Sequence, residues 1–247
     1  MRGDQPPADR LQEGLSVFFP AYNEEGNIEA LTLATLSVLQ QIADDYEVII
    51  VNDGSRDRTG PIAETLAQQY VHVRVVHHSK NRGYGAALQS GFRHATKDLV
   101  FYTDGDRQFN IADIRTFLPY ITQYDIVTGY RIRRQDRLHR RLLALLYRLF
   151  IWMLFGLHLK DVNCAFKLYK RQCIADMPLQ SDGAFINAEL FVRALRQGCR
   201  VKQIGVRHYP RMAGKQTGGK LRVIMRTFRE AYALWRDLQS ERVSVSH

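Results

Sequence analysis

Cysteine is scarce: the 247 residues contain three, Cys164, Cys173 and Cys199, with no CxxC spacing and no histidine cluster beside them. This excludes a disulfide framework, offers no zinc-ligand pattern, and fits a reducing cytoplasmic setting. No apolar run reaches the ~18 uninterrupted residues that a membrane-spanning helix requires. Residues 142–157 come nearest and are broken by Arg148 and Gly156. The first fourteen residues, with Asp4, Pro6, Pro7, Asp9 and Arg10, lack the apolar stretch of a signal peptide and are expected to form a flexible N-terminal tail. Internal repeats and low-complexity segments are also missing. Acids are in deficit, 25 against 35 lysines and arginines, for a formal charge of +10. Such an excess favours polyanionic partners, whether nucleic acid, nucleotide phosphates or anionic lipid, and its sign alone does not choose among them.

What remains is an ordinary globular composition, 45% hydrophobic and 24% charged. The length suits one large domain, expected over 15–238, with a first half at 15–130, a second at 131–238 and a short tail at 239–247. Residues 15–19 and 47–51 are apolar and β-branched runs closed by Pro20 and by Asn52-Asp53-Gly54-Ser55, so both read as buried strands ending in loops. Helical spacing follows at 27–42 and 59–70. A strand at 71–76, a helix at 86–95, a strand at 99–102, a helix at 111–121 and a strand at 125–128 continue the alternation. Strand and helix in turn give an α/β fold, a mostly parallel sheet with helices on both faces. In such sheets ligands collect beyond the carboxyl ends of the strands, here the loops 20–25, 52–57, 79–85 and 103–109. After Tyr130 come a basic stretch, the apolar segment 142–157, mixed elements and a final helix at 221–238.

Asp104-Gly105-Asp106 sets two carboxylates at a strand end, with Gln108 close by. Hard oxygen donors of this kind suit Mg²⁺ or Mn²⁺, which fill the rest of their shell with water and substrate phosphates. Paired acids are equally common in turns. Asn52-Asp53-Gly54-Ser55-Arg56-Asp57 is a second acidic strand end; part of it reads as a turn and helix cap, while Asp53 is placed to accept hydrogen bonds from a base or ribose.

The runs 17–25 (VFFPAYNEE), 51–59 (VNDGSRDRT), Asn81-Arg82-Gly83 and 103–108 (TDGDRQ), in this order, resemble family 2 glycosyltransferases of the GT-A, Rossmann-like fold. Further on, 161–167 (DVNCAFK), Asn187-Ala188-Glu189 and His208-Tyr209-Pro210-Arg211 followed by Gly214-Lys215 are similar to the branch that includes dolichol-phosphate mannose synthase and bacterial polyprenyl-phosphate glycosyltransferases. The resemblance implies that Pro20, Tyr22, Glu24 and Asp53 hold the nucleotide. It also implies that Asp104, Asp106 and Gln108 ligate the metal, and that Arg131, Arg211 and Lys215 meet phosphate groups. The implied reaction is an inverting transfer of a hexose from a GDP- or UDP-sugar to a polyprenyl phosphate. Many relatives carry C-terminal membrane helices, which this sequence does not show.

Departure of a diphosphate builds negative charge, which a metal and basic side chains stabilise, so the acidic loop and the basic C-terminal loop belong to one reaction. A phosphate monoester, with a second pKa of about 6, is already largely dianionic at neutral pH and needs cations more than a base. Glu189 stands as a weak base or an orienter of the acceptor. Asp161 and Asn163 are candidates to orient the acceptor, and Cys164 and Phe166 are expected to pack. His208 reads either as a phosphate contact or as a partly buried histidine after a strand. Gly214, Gly218 and Gly219 are expected to let the Arg211 and Lys215 loop close over the donor.

Arg131, Arg133, Arg134, Arg137, Arg140 and Arg141 precede the segment 142–157, which carries Tyr147, Phe150, Trp152 and Phe155 among its leucines. A charge run before a core helix is the plain reading; an interfacial helix on the anionic cytoplasmic face of a membrane is the functional one. The alternatives are a family 2 enzyme with a soluble sugar, protein or polysaccharide acceptor, a nucleotidyltransferase, and a basic nucleic-acid-binding module. The last predicts basic residues interleaved with stacking aromatics, whereas here the arginines lead into a leucine-rich helix and the strand-end loops are acidic, so no nucleic-acid partner is expected.

Overall fold

The computed structural model describes residues 10–132, 138–211 and 221–244. Seven strands form one sheet in the order β3-β2-β1-β4-β6-β5-β7. The first four are β1 (Leu15–Ala21), β2 (Tyr46–Asn52), β3 (Val73–His77) and β4 (Leu99–Thr103); β5 is Ile126–Ile132, β6 Phe166–Lys170 and β7 Val201–Arg207. All pairings are parallel except those of β6, which runs antiparallel between β4 and β5. The mostly parallel sheet expected from the alternation is therefore present.

Strands β1, β2 and β4 are buried on both faces, which is why they read as continuous apolar runs rather than alternating ones. One face is covered by α1 (Ile28–Ile42) and α2 (Thr59–Gln69), with a 3-10 turn at Ile111–Thr116 and the single turn α4 (Leu118–Ile121). The other face is covered by α3 (Tyr84–His94), α5 (Leu138–Phe155), α6 (Ile186–Arg196) and α7 (Leu221–Ser244). In α1, Ile28, Leu31, Thr35, Leu36, Leu39 and Ile42 recur at helical spacing and form its buried stripe. Phe18, Phe92, Tyr102 and Tyr169 interlock across the second face with ring centroids 5.0 to 6.2 Å apart. Each such side chain, fully buried, contributes roughly 1.5–3 kcal/mol.

Several boundaries differ from expectation. β1 continues through Pro20 to Ala21: the Ala21 carbonyl accepts from Asp53 N–H, so proline's missing donor turns to the β4 side, where pairing has ended at Phe18. Residues 10–14 are not a loose tail, because Leu11 bridges to Ala43 and Arg10 pairs with Asp44. The expected tail at 239–247 is helical to Ser244. The helix expected at 111–121 is a 3-10 turn followed by four α-helical residues, with Pro119 among them. β6 and β7 escaped the sequence because Lys167, Lys202 and Gln203 interrupt their apolar pattern.

Candidate active site

Four loops converge at the carboxyl edge of the sheet. Those after β1 and β2 are laced together: Asn23 N–H donates to Ser55, Arg56 N–H to Asn23 Oδ1, Glu25 N–H to Asp57 and Arg58 N–H to Glu25. Gly54, at φ 64, packs so closely on the third loop that a Cβ would stand 2.4 Å from the Lys80 carbonyl carbon. No larger residue fits there.

Asp53 is 3% exposed and already well supplied with donors. Its Oδ1 accepts from Arg82 N–H at 2.8 Å and faces His78 Nδ1 at 2.6 Å, and its Oδ2 accepts from Gly83 N–H at 2.9 Å. His78 reaches on to Ser90 Oγ at 2.8 Å. A carboxylate offers about four lone-pair positions. Asp53 is thus a fixed acceptor with little capacity left, and its first task is to hold the third loop onto β2.

Asp104 and Asp106 face the opposite situation. Asp104 receives one side-chain donor, the hydroxyl of Tyr84 at 3.0 Å. Desolvation, then the charge of Asp106, pushes its carboxyl up to about 7, against the pull of Tyr84, Lys167 and Arg131. Asp106, buried in turn, is also raised, although the Gln108 N–H, Arg211 and His208 favour its charged form. Arg107, between Asp106 and Gln108, lies at φ 58, a left-handed conformation that disfavours a side chain by roughly 1–2 kcal/mol.

Glu24 is buried beside this pair. Arg211 pairs with Glu24 and stands 3.7 Å from Asp106, while Glu24 Oε2 accepts from Asn27 at 2.7 Å. Burial nonetheless lifts the Glu24 carboxyl above its usual range. The Pro20 carbonyl lies against Gly105, where a Cβ would approach it to 2.9 Å, and Tyr22 is exposed. Gln108 sits on the same loop, but its side-chain amide donates to the Tyr209 carbonyl and not to either aspartate.

Arg131, at the end of β5, grips Asp161 through two hydrogen bonds of 2.7 and 2.9 Å. Its expected phosphate contact therefore begins from a formed ion pair. Glu189 does not suit the base role: it is 1% exposed and its oxygens accept from Gln180 N–H, Ser181 N–H and Arg193 Nε. Those bonds fix the 180–183 loop, whose Ser181 carbonyl would meet a Cβ on Gly85 at 2.3 Å. Lys215, Gly214, Gly218 and Gly219, with Arg133, Arg134 and Arg137, lie outside the described residues.

Three participants were given no role by sequence: Tyr84, His78 and Lys167, the last of them within the quoted run 161–167. Tyr84 follows directly on the Asn81-Arg82-Gly83 run, and that adjacency was the available signal. Lys167 is wholly buried, donating from Nζ to Tyr102 Oη at 2.7 Å and to Asn187 Oδ1 at 2.6 Å; burial lowers its pKa to about 8.

The family model described as Glycosyl transferase family 2 matches residues 16–177, from β1 through β6 and the turn beyond it. The chain belongs to glycosyl transferase family 2. Among its family 2 relatives, an undecaprenyl-phosphate 4-deoxy-4-formamido-L-arabinose transferase of Pectobacterium carotovorum subsp. carotovorum (strain PC1) is 32% identical over 167 residues, which cover 67% of this chain and 51% of that protein. A dolichyl-phosphate beta-glucosyltransferase of Trichomonas vaginalis is 31% identical over 217 residues, covering 80% of this chain and 66% of the relative. The chain thus spans between about half and two thirds of the length of these relatives. In overall fold it is similar to glucosyl-3-phosphoglycerate synthase from Mycobacterium tuberculosis, solved with Mn²⁺, uridine diphosphate and phosphoglyceric acid: TM-score 0.69 at 19% identity, covering 89% of this chain and 79% of that one. GT-A architecture is common to both.

Proposed function

We propose that this family 2 chain transfers a hexose, with inversion, from a nucleotide diphosphate sugar to a polyprenyl phosphate at an anionic membrane surface. The observation that carries the reading is the acidic pair Asp104 and Asp106, set one residue apart on the loop after β4, with the Tyr84 hydroxyl on the first and the Gln108 N–H and Arg211 beside the second. The names of the relatives support the lipid-phosphate acceptor.

A divalent cation fits this donor set. Two carboxylates raised by burial, Asp104 also by the charge of Asp106, are relieved by a cation, and among the described residues no cluster of three or more His, Cys, Asp or Glu competes for it. Two protein oxygens suit Mg²⁺ or Mn²⁺, whose remaining positions go to water and phosphate. Asp104 and Asp106 would hold the ion, with Gln108 after its amide turns. When bound, the ion supplies charge stabilisation for the departing diphosphate. Arg211, bridging Glu24 and Asp106, sets a cation beside the same oxygens. Arg131, steered by Asp161, presents its guanidinium at the end of β5 for a second phosphate. The dianionic acceptor supplies its own nucleophilic oxygen, in keeping with Glu189 being committed to the 180–183 loop.

Helix α5 serves two environments. Ile151 is fully buried, while Leu145, Leu146, Leu149, Trp152 and Met153 are 45% to 64% exposed. Phe150 meets Phe228 of α7 with ring centroids 4.7 Å apart, so the exposed Met225, Phe228 and Tyr232 extend the apolar surface. Arg226, Arg229 and Arg236 are exposed on α7. An apolar face with cations on its helices suits an anionic bilayer. Among the described residues no helix is long and apolar enough to cross a membrane.

The deciding assay offers UDP- and GDP-sugars with Mn²⁺ or Mg²⁺ to undecaprenyl phosphate and, in parallel, to 3-phosphoglycerate and simple sugars. Release of nucleoside diphosphate with a glycosylated lipid is the expected outcome. Transfer only to soluble acceptors overturns the lipid reading, and diphosphate release would make the chain a nucleotidyltransferase. Sedimentation with anionic liposomes, lost on combined Arg137→Glu, Arg140→Glu and Arg141→Glu substitution, tests the membrane surface.

A further inference from the structure

We infer that Lys167 is a positioning residue for the Asp104 carboxylate, acting through Tyr102, Asn187 and Tyr84. This rests on the reading of Asp104 and Asp106 as the cation-binding pair.

Lys167 lies on β6, the one antiparallel strand, directly opposite Tyr102 of β4 in register. Its side chain is wholly buried, and Asp161 and Asp104 favour its charge from a distance, with no salt bridge to it among the described residues. Burying an ammonium without a counter-ion is strongly unfavourable unless its donors are all satisfied. Two of them go to Tyr102 Oη and Asn187 Oδ1, and the ammonium also lies 5.1 and 5.4 Å from the ring centroids of Tyr102 and Phe191. Tyr102 in turn donates to Asn187 Oδ1 at 2.5 Å. The Tyr84 hydroxyl adjoins both Tyr102 and Asn187 and donates to Asp104 Oδ1 at 3.0 Å.

The donors converge on Asn187 Oδ1, which accepts from both Lys167 Nζ and the Tyr102 hydroxyl, while the Tyr102 oxygen itself accepts from Lys167. Lys167 commits Tyr102 and Asn187 as acceptors, which leaves the Tyr84 proton for Asp104. With those acceptors occupied, the Tyr84 hydroxyl is held on the carboxylate. It also fixes which oxygen of Asp104 is engaged, leaving Oδ2 for a ligand. Residues that orient a metal ligand from behind typically change metal affinity about 10- to 100-fold when removed.

The test measures Mn²⁺ binding to the full chain by electron paramagnetic resonance, without donor, for the wild type, Lys167→Met, Tyr84→Phe and the double variant, with circular dichroism as a check of folding. Each single substitution is expected to weaken Mn²⁺ binding about tenfold. The double variant should be no weaker than the worse single one, because both break the same chain. Tyr102→Phe, which keeps the lysine, provides the same break should Lys167→Met not fold, and a tenfold loss is expected there too. Wild-type affinity in folded Lys167→Met or Tyr102→Phe, tighter binding, or multiplying losses in the double variant would overturn the inference. A lysine that merely stabilises the core would lower the melting temperature and leave the Mn²⁺ constant of the folded protein in place. Wild-type protein that binds no Mn²⁺, or binds it equally after Asp106→Ala, would instead remove the cation site, and the positioning role with it.

Discussion

Asp53 and Asp104 end strands of the same sheet, yet the structure treats them oppositely. Asp53 has two backbone N–H groups and His78 around it; Asp104 has the Tyr84 hydroxyl and a second acid two residues away. The difference teaches that an acidic strand end is not in itself a ligand site. A carboxylate saturated by the protein is a fastener, and one left short of donors beside another acid is where the proposed cation would bind.

The largest effect should come from breaking the second kind. Asp106→Ala is expected to lower transfer by about 100-fold or more, since stabilising charge on a departing group commonly contributes that much. Donor-dependent thermal shift with Mn²⁺ should vanish with it, while the fold survives. Asp53→Ala reverses the pattern. Leaving His78 and two backbone donors unsatisfied in a buried place should destabilise the chain by about 3 kcal/mol or more in denaturant titration. A stable Asp53→Ala that merely loses nucleotide would show that Asp53 is no fastener.

The two classes also differ in pH dependence. Asp104, raised to about 7 from an unfolded value near 4, binds its proton more tightly when folded. Its contribution is present below pH ~4 and is lost as pH rises through about 7. Asp104→Asn should therefore melt higher than the metal-free wild type at pH 8, by about 2–4 °C per kcal/mol relieved, and show no such gain at pH 4. Glu47 gives the opposite sign: burial opposes its charge, but hydrogen bonds from Ser16, Thr96 and Arg74 prevail and lower its pKa. Its stabilisation is present above the unfolded value and lost as pH falls through the folded one. Glu47→Gln should cost about 1–3 kcal/mol at pH 7 and flatten the acid limb of the melting curve. The smallest effect is expected from Tyr22→Ala. The exposed ring has little to lose in stability, and only the donor KM should rise, by a few-fold.

Much of this is legible in the residues themselves. Buried parallel strands must be apolar on both faces, so β1, β2 and β4 stand out as unbroken apolar runs, and the polar loops that follow them are located by where those runs stop. The acidic pair at 104 and 106 is equally readable, because two carboxylates one residue apart at the end of an apolar run stand in plain view. The role of Glu189 is not readable. Nothing in Asn187-Ala188-Glu189 indicates that the carboxylate turns back to hold the 180–183 loop.

The sequence by itself determined the order of strands and helices in the first half, the family, and the residue types gathered at the sheet's edge. These follow from local hydrophobic period and from side-chain chemistry, both carried within short windows. Only the tertiary structure decided that β6 enters antiparallel between β4 and β5, that Lys167 is thereby buried behind Asp104, and that Arg211 reaches back across the chain to Glu24. Such contacts join residues tens to nearly two hundred positions apart, and whether a charged side chain meets water, a partner or neither is settled only when the distant segments pack.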